Sequence, residues 1–194
     1  MLIAICGTYT DSRYGSIRGN GKTLTATFLA YNAHKDGRKV YTNYYTTFSE
    51  MVTLNQLITL FKNEQLENVL VVLDEAQVYL MNAGVKAKTL KEIINLFIAQ
   101  TRKRNIDVIV TTQRYKNLHR QLRIQCDTIL IPLKYHIDDK GQMTDLCARD
   151  NCDKSHVVII YNAITQDFLK SVLYPEEIGK LFNSDEIVFD EFIS

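Results

Sequence analysis

Two short stretches carry residue types that can handle a nucleotide. The first is Gly19-Asn20-Gly21-Lys22-Thr23. It follows a strand-like run and opens a helix-like one, which is where a phosphate-binding loop belongs. Small residues let backbone N–H groups close around phosphate oxygens, and a helix N-terminus adds a favourable dipole. Lys22 would face the β- and γ-phosphates, the Thr23 hydroxyl would ligate Mg²⁺, and Leu24 completes the set behind them. The pattern G-x-x-x-x-G-K-T requires a glycine at position 16, where Ser16 stands and Gly15 precedes it. The strand-like run also ends early, at Gly7, so Thr8 to Ile17 reads as an insertion that stretches the loop. The plain alternative is a glycine-rich turn before an ordinary helix.

The second stretch is Val69-Leu70-Val71-Val72-Leu73-Asp74-Glu75. An apolar strand ending in two carboxylates can deliver Asp74 to the Mg²⁺ shell and Glu75 to an attacking water. Read blandly, it is a strand ending at an acidic turn or helix cap. A third stretch, Val108-Ile109-Val110-Thr111-Thr112-Gln113, again ends a buried strand in a polar side chain. Gln113 would touch the γ-phosphate or the lytic water; alone, it would be a solvent-exposed glutamine at a strand end. The order of the first two elements, each on the right kind of segment, argues for ATP as ligand.

Positioning these residues takes an alternating α/β chain. Strands are expected over Leu2 to Cys6, Val40 to Tyr45, Val69 to Leu73, Ile106 to Val110 and Thr128 to Ile131. Helical stripes are Leu24, Phe28 and Tyr31, stopped by Gly37; then Leu54, Leu57, Ile58 and Phe61; then Leu90, Ile93, Ile94, Phe97 and Ile98. His136 to Lys154 is polar and reads as an irregular excursion. Val157 to Tyr161 and Phe168 to Leu173 read as two strands joined over Asn162 to Asp167. The acidic tail from Asp185 to Ser194 reads as loosely held.

The chain has 194 residues, enough for one domain with a real core. Its net charge of +1 excludes global basicity as a route to nucleic acid, so any such contact needs a local patch or a ring that concentrates a few basic side chains. No apolar run approaches the ~20 residues that span a bilayer. The start, Met1 to Cys6, lacks a basic leader and reads as a buried strand of a cytoplasmic protein. Of four cysteines, Cys6 and Cys126 lie in or beside apolar runs. Cys147 and Cys152, with His156 after them and His136 before, could hold zinc. The spacing is looser than in most zinc motifs, and a polar loop with incidental thiols is the favoured reading.

The stretch Arg102 to Leu130, read together with Lys22-Thr23 and Asp74-Glu75, resembles the FtsK–HerA superfamily of DNA-pumping ATPases. In that group a basic helix end leads into a strand ending T-Q-R, then a short helical segment, then a strand opening with C-D. The compact size is similar to the genome-packaging ATPases of small membrane-containing viruses, and Val40-Tyr41-Thr42-Asn43 resembles the Zot-like phage assembly proteins. The resemblance implies an α/β, RecA-like P-loop NTPase of the ASCE type, with a mainly parallel central sheet flanked by helices and a C-terminal β-hairpin extension. It divides the chain into an ATPase core, 1–135, and an extension, 136–194, packed on the same domain. Within the core it implies Gly19, Asn20, Gly21, Lys22, Thr23, Leu24 and Asp74 as nucleotide residues, Glu75 and Gln113 as catalytic, and ATP with Mg²⁺ as cofactors. Arg102, with Arg104 as alternative, would be an arginine finger acting on a neighbouring subunit. That in turn implies a homo-oligomeric ring, a hexamer, acting on double-stranded DNA, with viral capsid or membrane proteins as further partners and a place in the host cytoplasm or at the virion vertex. Lys86, Lys88, Lys91, Arg114, Lys116, Arg120 and Arg123 are candidates to grip DNA, though each alone reads as a solvated charge. The leading function is an ATP-driven DNA translocase that packages a viral genome into a capsid. The competing ones are a Zot-like assembly motor, ranked lower because no segment here spans a membrane, and a nucleotide-dependent switch with little turnover. Glu75 speaks against the switch, which needs no carboxylate to activate water.

Overall fold

The computed structural model describes residues 1–8, 21–80, 103–140, 142–147, 152, 155–159, 171–173 and 178–187. Strand β1 (Leu2–Thr8) leads toward helix α1 (Lys22–Lys35). Then come β2 (Lys39–Thr42), β3 (Tyr44–Thr46), β4 (Glu50–Met51), α2 (Leu54–Lys62) and β5 (Val69–Leu73). A short helix α3 (Gln77–Leu80) follows β5. After it come β6 (Asp107–Arg114), a 3-10 turn at Tyr115–Asn117, α4 (Arg120–Gln125) and β7 (Thr128–Leu130). The chain continues through β8 (Pro132–Ile137), β9 (Met143–Leu146), β10 (Ser155–Ile159), β11 (Ser171–Leu173) and β12 (Phe182–Ile187).

Six strands form one sheet in the order β4-β2-β5-β6-β1-β7, and every pairing is parallel. The apolar strand runs explain this, because a sheet covered on both faces has no polar side to alternate with. Alternate residues divide between two cores. Leu2, Ala4 and Cys6 of β1 join Val69, Val71 and Leu73 of β5 on the face covered by Leu54, Leu57, Ile58 and Phe61 of α2 and Leu122 of α4. Ile3, Ile5, Leu70, Val72 and Ile109 face the other way, toward Leu24, Ala26 and Ala30 of α1. The expected α2 stripe is thus the buried one, and it starts at a capping box in which Thr53 and Gln56 satisfy each other's backbone.

Helix α1 departs from its expected stripe. Leu24 is buried, but Phe28 and Tyr31 are half-buried, and the inner face is Thr25, Ala26, Thr27 and Ala30. These small side chains bring the helix close to the sheet. The Thr25 and Thr27 hydroxyls donate back to the carbonyls of Gly21 and Thr23, at 2.8 Å each, which satisfies them inside. Gly37, at φ +83°, ends the helix as expected, with Arg38 N–H returning to Ala33 O at 3.0 Å.

Three other expectations are corrected. Val40 to Tyr45 is not one strand: it breaks at Asn43, and β3 leaves the parallel sheet to pair antiparallel with β12. The stretch 136–154 is not irregular throughout, for β8 and β9 form a hairpin whose turn is held by the Asp138 carboxylate accepting from Lys140 and Gln142 N–H. Asp185 to Ile187 belong to β12, so this part of the acidic tail is strand. The expected strand pair late in the chain is present, with Val157 opposite Leu173 in an antiparallel β10–β11 pair that completes a second sheet, β11-β10-β8-β9. The stripe from Leu90 to Ile98 and the segment from Tyr9 to Asn20 lie outside the described residues.

One side chain bolts the N-terminal ends of the parallel strands. Arg38 donates to Asp107 Oδ2 at 2.5 Å, to Val69 O at 2.7 Å and to Asn105 O at 3.1 Å. The Met1 ammonium donates to Asp107 Oδ1 at 2.7 Å. Burial alone would raise the Asp107 carboxyl, but the hydrogen bonds from Met1 and Arg38 outweigh it and hold the group below its ordinary value. A depressed folded-state value stabilises the protein above the ordinary carboxylate range, and the contribution is lost as pH falls through the folded value. Asp107→Asn is therefore expected to cost about 1 kcal/mol at pH 7, part of the attraction being screened by water. The gap to wild type should close below about pH 4. Phe61→Ala, a cavity in the core, is expected to cost about 3–5 kcal/mol at every pH. Urea titrations of both variants across pH check this; a pH-independent Asp107→Asn deficit would show that the ion pair is not its source.

Candidate nucleotide site

The site is built around a carboxylate almost wholly withdrawn from solvent. Asp74, at the end of β5, is 3% exposed. Its Oδ2 accepts from the Thr23 hydroxyl at 2.9 Å and its Oδ1 accepts from the Thr111 hydroxyl. Its backbone is taken up by one side chain: Asp74 N–H donates to Asn43 Oδ1 at 2.7 Å, and Asn43 Nδ2 donates to Asp74 O at 3.0 Å. Burial pushes the Asp74 carboxyl above its ordinary value; the Thr111 and Thr23 hydroxyls pull it back, Glu75 pushes it further up, and Lys22 pulls it down. A buried carboxylate so placed, with a threonine hydroxyl on one oxygen, offers hard oxygen donors of the kind a divalent cation takes.

Glu75 follows in a left-handed backbone conformation, φ +49°, rare for a residue with a side chain. The turn is held from β6. Glu75 N–H donates to the Thr111 hydroxyl at 2.9 Å and Ala76 N–H to Thr111 O at 2.8 Å. Thr111 thus bridges the two carboxylate residues. The Glu75 side chain is half-buried and accepts from the Gln77 amide nitrogen, while Gln77 Oε1 is buried without a hydrogen-bond partner among the described residues. Gln113 lies two residues beyond Thr111 on β6, hence on the same side of the strand, half-buried at its C-terminal end.

Across the site, Gly21 caps α1 in a left-handed conformation, φ +82°, which a glycine adopts without strain. Lys22 is buried, at 7% exposed, and close enough to act on the Asp74 charge. The structure therefore brings Gly21, Lys22, Thr23, Leu24, Asp74, Glu75 and Gln113 to one end of the sheet. Gly19, Asn20 and Arg102 lie outside the described residues, as do Lys86, Lys88 and Lys91. Arg104 stands elsewhere: it precedes β6 and pairs with Glu64 at 2.7 Å. Four steps along β6, from Asp107 to the Thr111 that holds Asp74, roughly 13 Å of strand, separate that end from the carboxylates. Arg114, Lys116, Arg120 and Arg123 follow β6 on its last residue, the 3-10 turn and α4, with Lys116 and Arg120 exposed.

Cys6 and Cys126 are buried, as expected of strand thiols, and Cys6 is pushed up to about 12, by burial first and by Cys126 second. His136, Cys147 and Cys152 converge, whereas the side chain of His156 lies outside the described residues.

Sequence reasoning missed three residues: Asn43, Thr111 and Gln77. Thr111 lies in a strand that the sequence marks, but nothing local says which threonine of a pair faces a neighbouring strand. Gln77 follows the acidic pair by two residues and had that adjacency as its one signal.

Removing the Asn43 amide should strand two buried backbone groups, at about 1–3 kcal/mol each. Asn43→Ala is expected to lower the urea midpoint with an unchanged slope. Thr111→Val, nearly the same shape, should also destabilise, because Asp74 and Glu75 N–H lose a partner together. A cost for Asn43→Ala below about 0.5 kcal/mol, the range of surface substitutions, would show that Asn43 is not holding β5.

Solved structures share this fold, among them the following three. The N-terminal domain of zonular occludens toxin from Neisseria meningitidis superposes with a TM-score of 0.57 at 18% identity, over 94% of this chain and 98% of that one. The genome packaging NTPase B204 from Sulfolobus turreted icosahedral virus 2, in complex with ATP-gammaS, gives 0.50 at 11% identity, over 87% and 95%. The pCW3 conjugation coupling protein TcpA gives 0.51 at 15% identity, over 92% and 64%. The fold is accordingly the RecA-like P-loop NTPase fold that the resemblance implied. No curated protein matches by sequence. The family model for zonular occludens toxin (Zot) matches residues 46–184, well over half of the chain, a span that includes Asp74, Glu75, Gln77 and Gln113. The chain belongs to the zonular occludens toxin (Zot) family.

Proposed function

We propose that this protein hydrolyses ATP and uses the cycle to move DNA during phage assembly, as a ring of identical subunits. The observation that carries the reading is the 2.9 Å hydrogen bond from Thr23 to Asp74. It joins the two halves of a nucleotide site contributed 51 residues apart in sequence.

In this reading the backbone N–H groups at the start of α1 and the Lys22 ammonium hold the phosphates. Thr23 and Asp74 would hold Mg²⁺, which when bound offsets phosphate charge. Glu75 takes a proton from the attacking water, and Gln77 sets the position of its carboxylate through their hydrogen bond. Gln113 meets the γ-phosphate at the end of the strand that also carries Thr111, so loss of the phosphate is felt by β6. Arg102, or Arg104, would act on the nucleotide of the next subunit. With Arg104 already paired to Glu64, Arg102 is the stronger choice. The basic residues that follow β6 would move with it and grip DNA.

A second reading, packaging of a viral genome into a capsid, rests on the fold shared with a genome packaging NTPase. The family match favours the assembly reading over it. Among the described residues no helix is long and apolar enough to cross a membrane.

ATP turnover with and without DNA, on material of known oligomeric state, is the deciding measurement. Stimulation by DNA is expected; a confirmed ring that neither binds DNA at low salt nor turns over faster with it would leave a nucleotide switch in place of a motor. Lys22→Ala should abolish or nearly abolish nucleotide binding. Glu75→Gln should bind nucleotide and lose turnover, and wild-type turnover by it would remove Glu75 from its role. An arginine finger is worth about 10³-fold or more in related enzymes, so Arg102→Ala should be nearly inactive alone and regain activity when mixed with Lys22→Ala subunits. Near-normal activity of Arg102→Ala and no gain on mixing would make Arg102 a helix-end cation instead. Arg120→Ala/Arg123→Ala should flatten the salt dependence of DNA binding by about one unit of slope for each phosphate no longer neutralised; an unchanged slope would place α4 away from the DNA.

A further inference from the structure

The second sheet holds a group of side chains that the nucleotide site does not use. His136 lies on β8, Cys147 directly follows β9 and Cys152 precedes β10. One ligand atom from each lies within 4.8 Å of the other two. His136 Nε2 is 3.3 Å from Cys152 Sγ. A tetrahedral zinc ion with ordinary Zn–S and Zn–N bonds separates its ligand atoms by about 3.5–3.8 Å, so the three need to shift by about an ångström or less to meet one.

The surroundings fit a metal better than a chance meeting of thiols. The other imidazole nitrogen, Nδ1, is 2.9 Å from Asp145 Oδ2. The Thr144 hydroxyl lies 2.9 Å from the other oxygen, Asp145 Oδ1. A carboxylate on the far nitrogen orients the ring and leaves Nε2 as the ligand, the usual support of a metal-bound histidine. The β8–β9 hairpin also lacks a core of its own. From Pro132 to Cys147, the buried residues among those described are those two. Small structures with little apolar interior are commonly held by a metal instead.

We propose that His136, Cys147 and Cys152 form a structural zinc site that ties β8, β9 and the start of β10 together. Two thiolates and one imidazole select zinc over hard cations. Binding converts both thiols to thiolates, forms two Zn–S bonds and one Zn–N bond, and releases two protons to the solvent. The fourth position is open to water.

The test uses the full, untagged chain purified without oxygen or chelator. About one zinc per chain is expected by mass spectrometry of the metal, and none in Cys147→Ser/Cys152→Ser. Replacing zinc by Co²⁺ in wild type should give the intense visible bands of tetrahedral thiolate ligation. Asp145→Asn alters an exposed group outside the ligand set; it should fold and bind zinc about 10- to 100-fold more weakly in competition with a chelating dye. Metal-free wild type after expression with ample zinc, together with a weak octahedral cobalt spectrum, would overturn the proposal. So would zinc retained at full stoichiometry by the double cysteine variant, or a Cys147–Cys152 disulfide in the anaerobically purified protein.

Discussion

Taking the Asp74 carboxylate out of water costs several kcal/mol unless donors replace the water, and the arrangement of this sheet follows from supplying them. The donors come from three directions. Thr23 reaches from the start of α1, Thr111 from β6, and Asn43 secures the backbone from the end of β2. Strand order makes this possible, since β5 lies between β2 and β6 in the parallel sheet. A different order would leave the carboxylate with a neighbour on the wrong side. The two hydroxyls and Lys22 still do not fully offset burial, and the carboxyl remains above its ordinary value. The site is thus poised for more positive charge.

Thr111 links that demand to the rest of the molecule. Its hydroxyl donates to Asp74 and accepts from Glu75 N–H, while its carbonyl accepts from Ala76 N–H. The end of β5 cannot shift without β6, and β6 continues to Gln113, Arg114 and the basic turn beyond. Any change felt by Gln113 at a phosphate would pass along one strand to the side chains proposed to hold DNA. No separate relay is required.

How much of this was legible depended on the range over which a residue acts. Lys22-Thr23 and Asp74-Glu75 could be read because a phosphate loop and an acidic strand end are local patterns, each adjacent to the element that presents it. Strands β1, β5, β6 and β7 were legible for the same reason, as apolar runs, whereas β4 and the break after β2 were not. Asn43 was not, because its partner is 31 residues away and an asparagine inside Val40 to Tyr45 looks like a blemish in a strand rather than its end. The α1 face was misread because the packing there uses Thr25, Thr27 and alanines, which apolar periodicity does not mark. The β8–β9 hairpin was hidden by its polarity: strands with little buried surface lack the pattern that identifies them, and the turn at Asp138 was the available signal. For the cysteine and histidine group the residue types were visible, but only folding brings β8 beside β10 and aims Nε2 at Cys152.

The balance of charge at the nucleotide end bears on whether one subunit is enough. Asp74 and Glu75 contribute two carboxylates, and Lys22 is the cation that acts on Asp74 among the described residues. A triphosphate brings several more negative charges, which spread further over the transferred phosphoryl group in the transition state. A divalent ion, if held at Thr23 and Asp74 as proposed, would answer part of this. Arg104 cannot answer the rest from within its own subunit, since it sits beyond the opposite end of β6 and is paired to Glu64. A further cation delivered across a subunit boundary, as proposed for Arg102, would meet the deficit without placing an unpaired guanidinium in an empty site, where it would be costly. The same boundary would make hydrolysis depend on contact between neighbours. A motor that passes DNA from one subunit to the next needs that dependence, and a solitary switch does not.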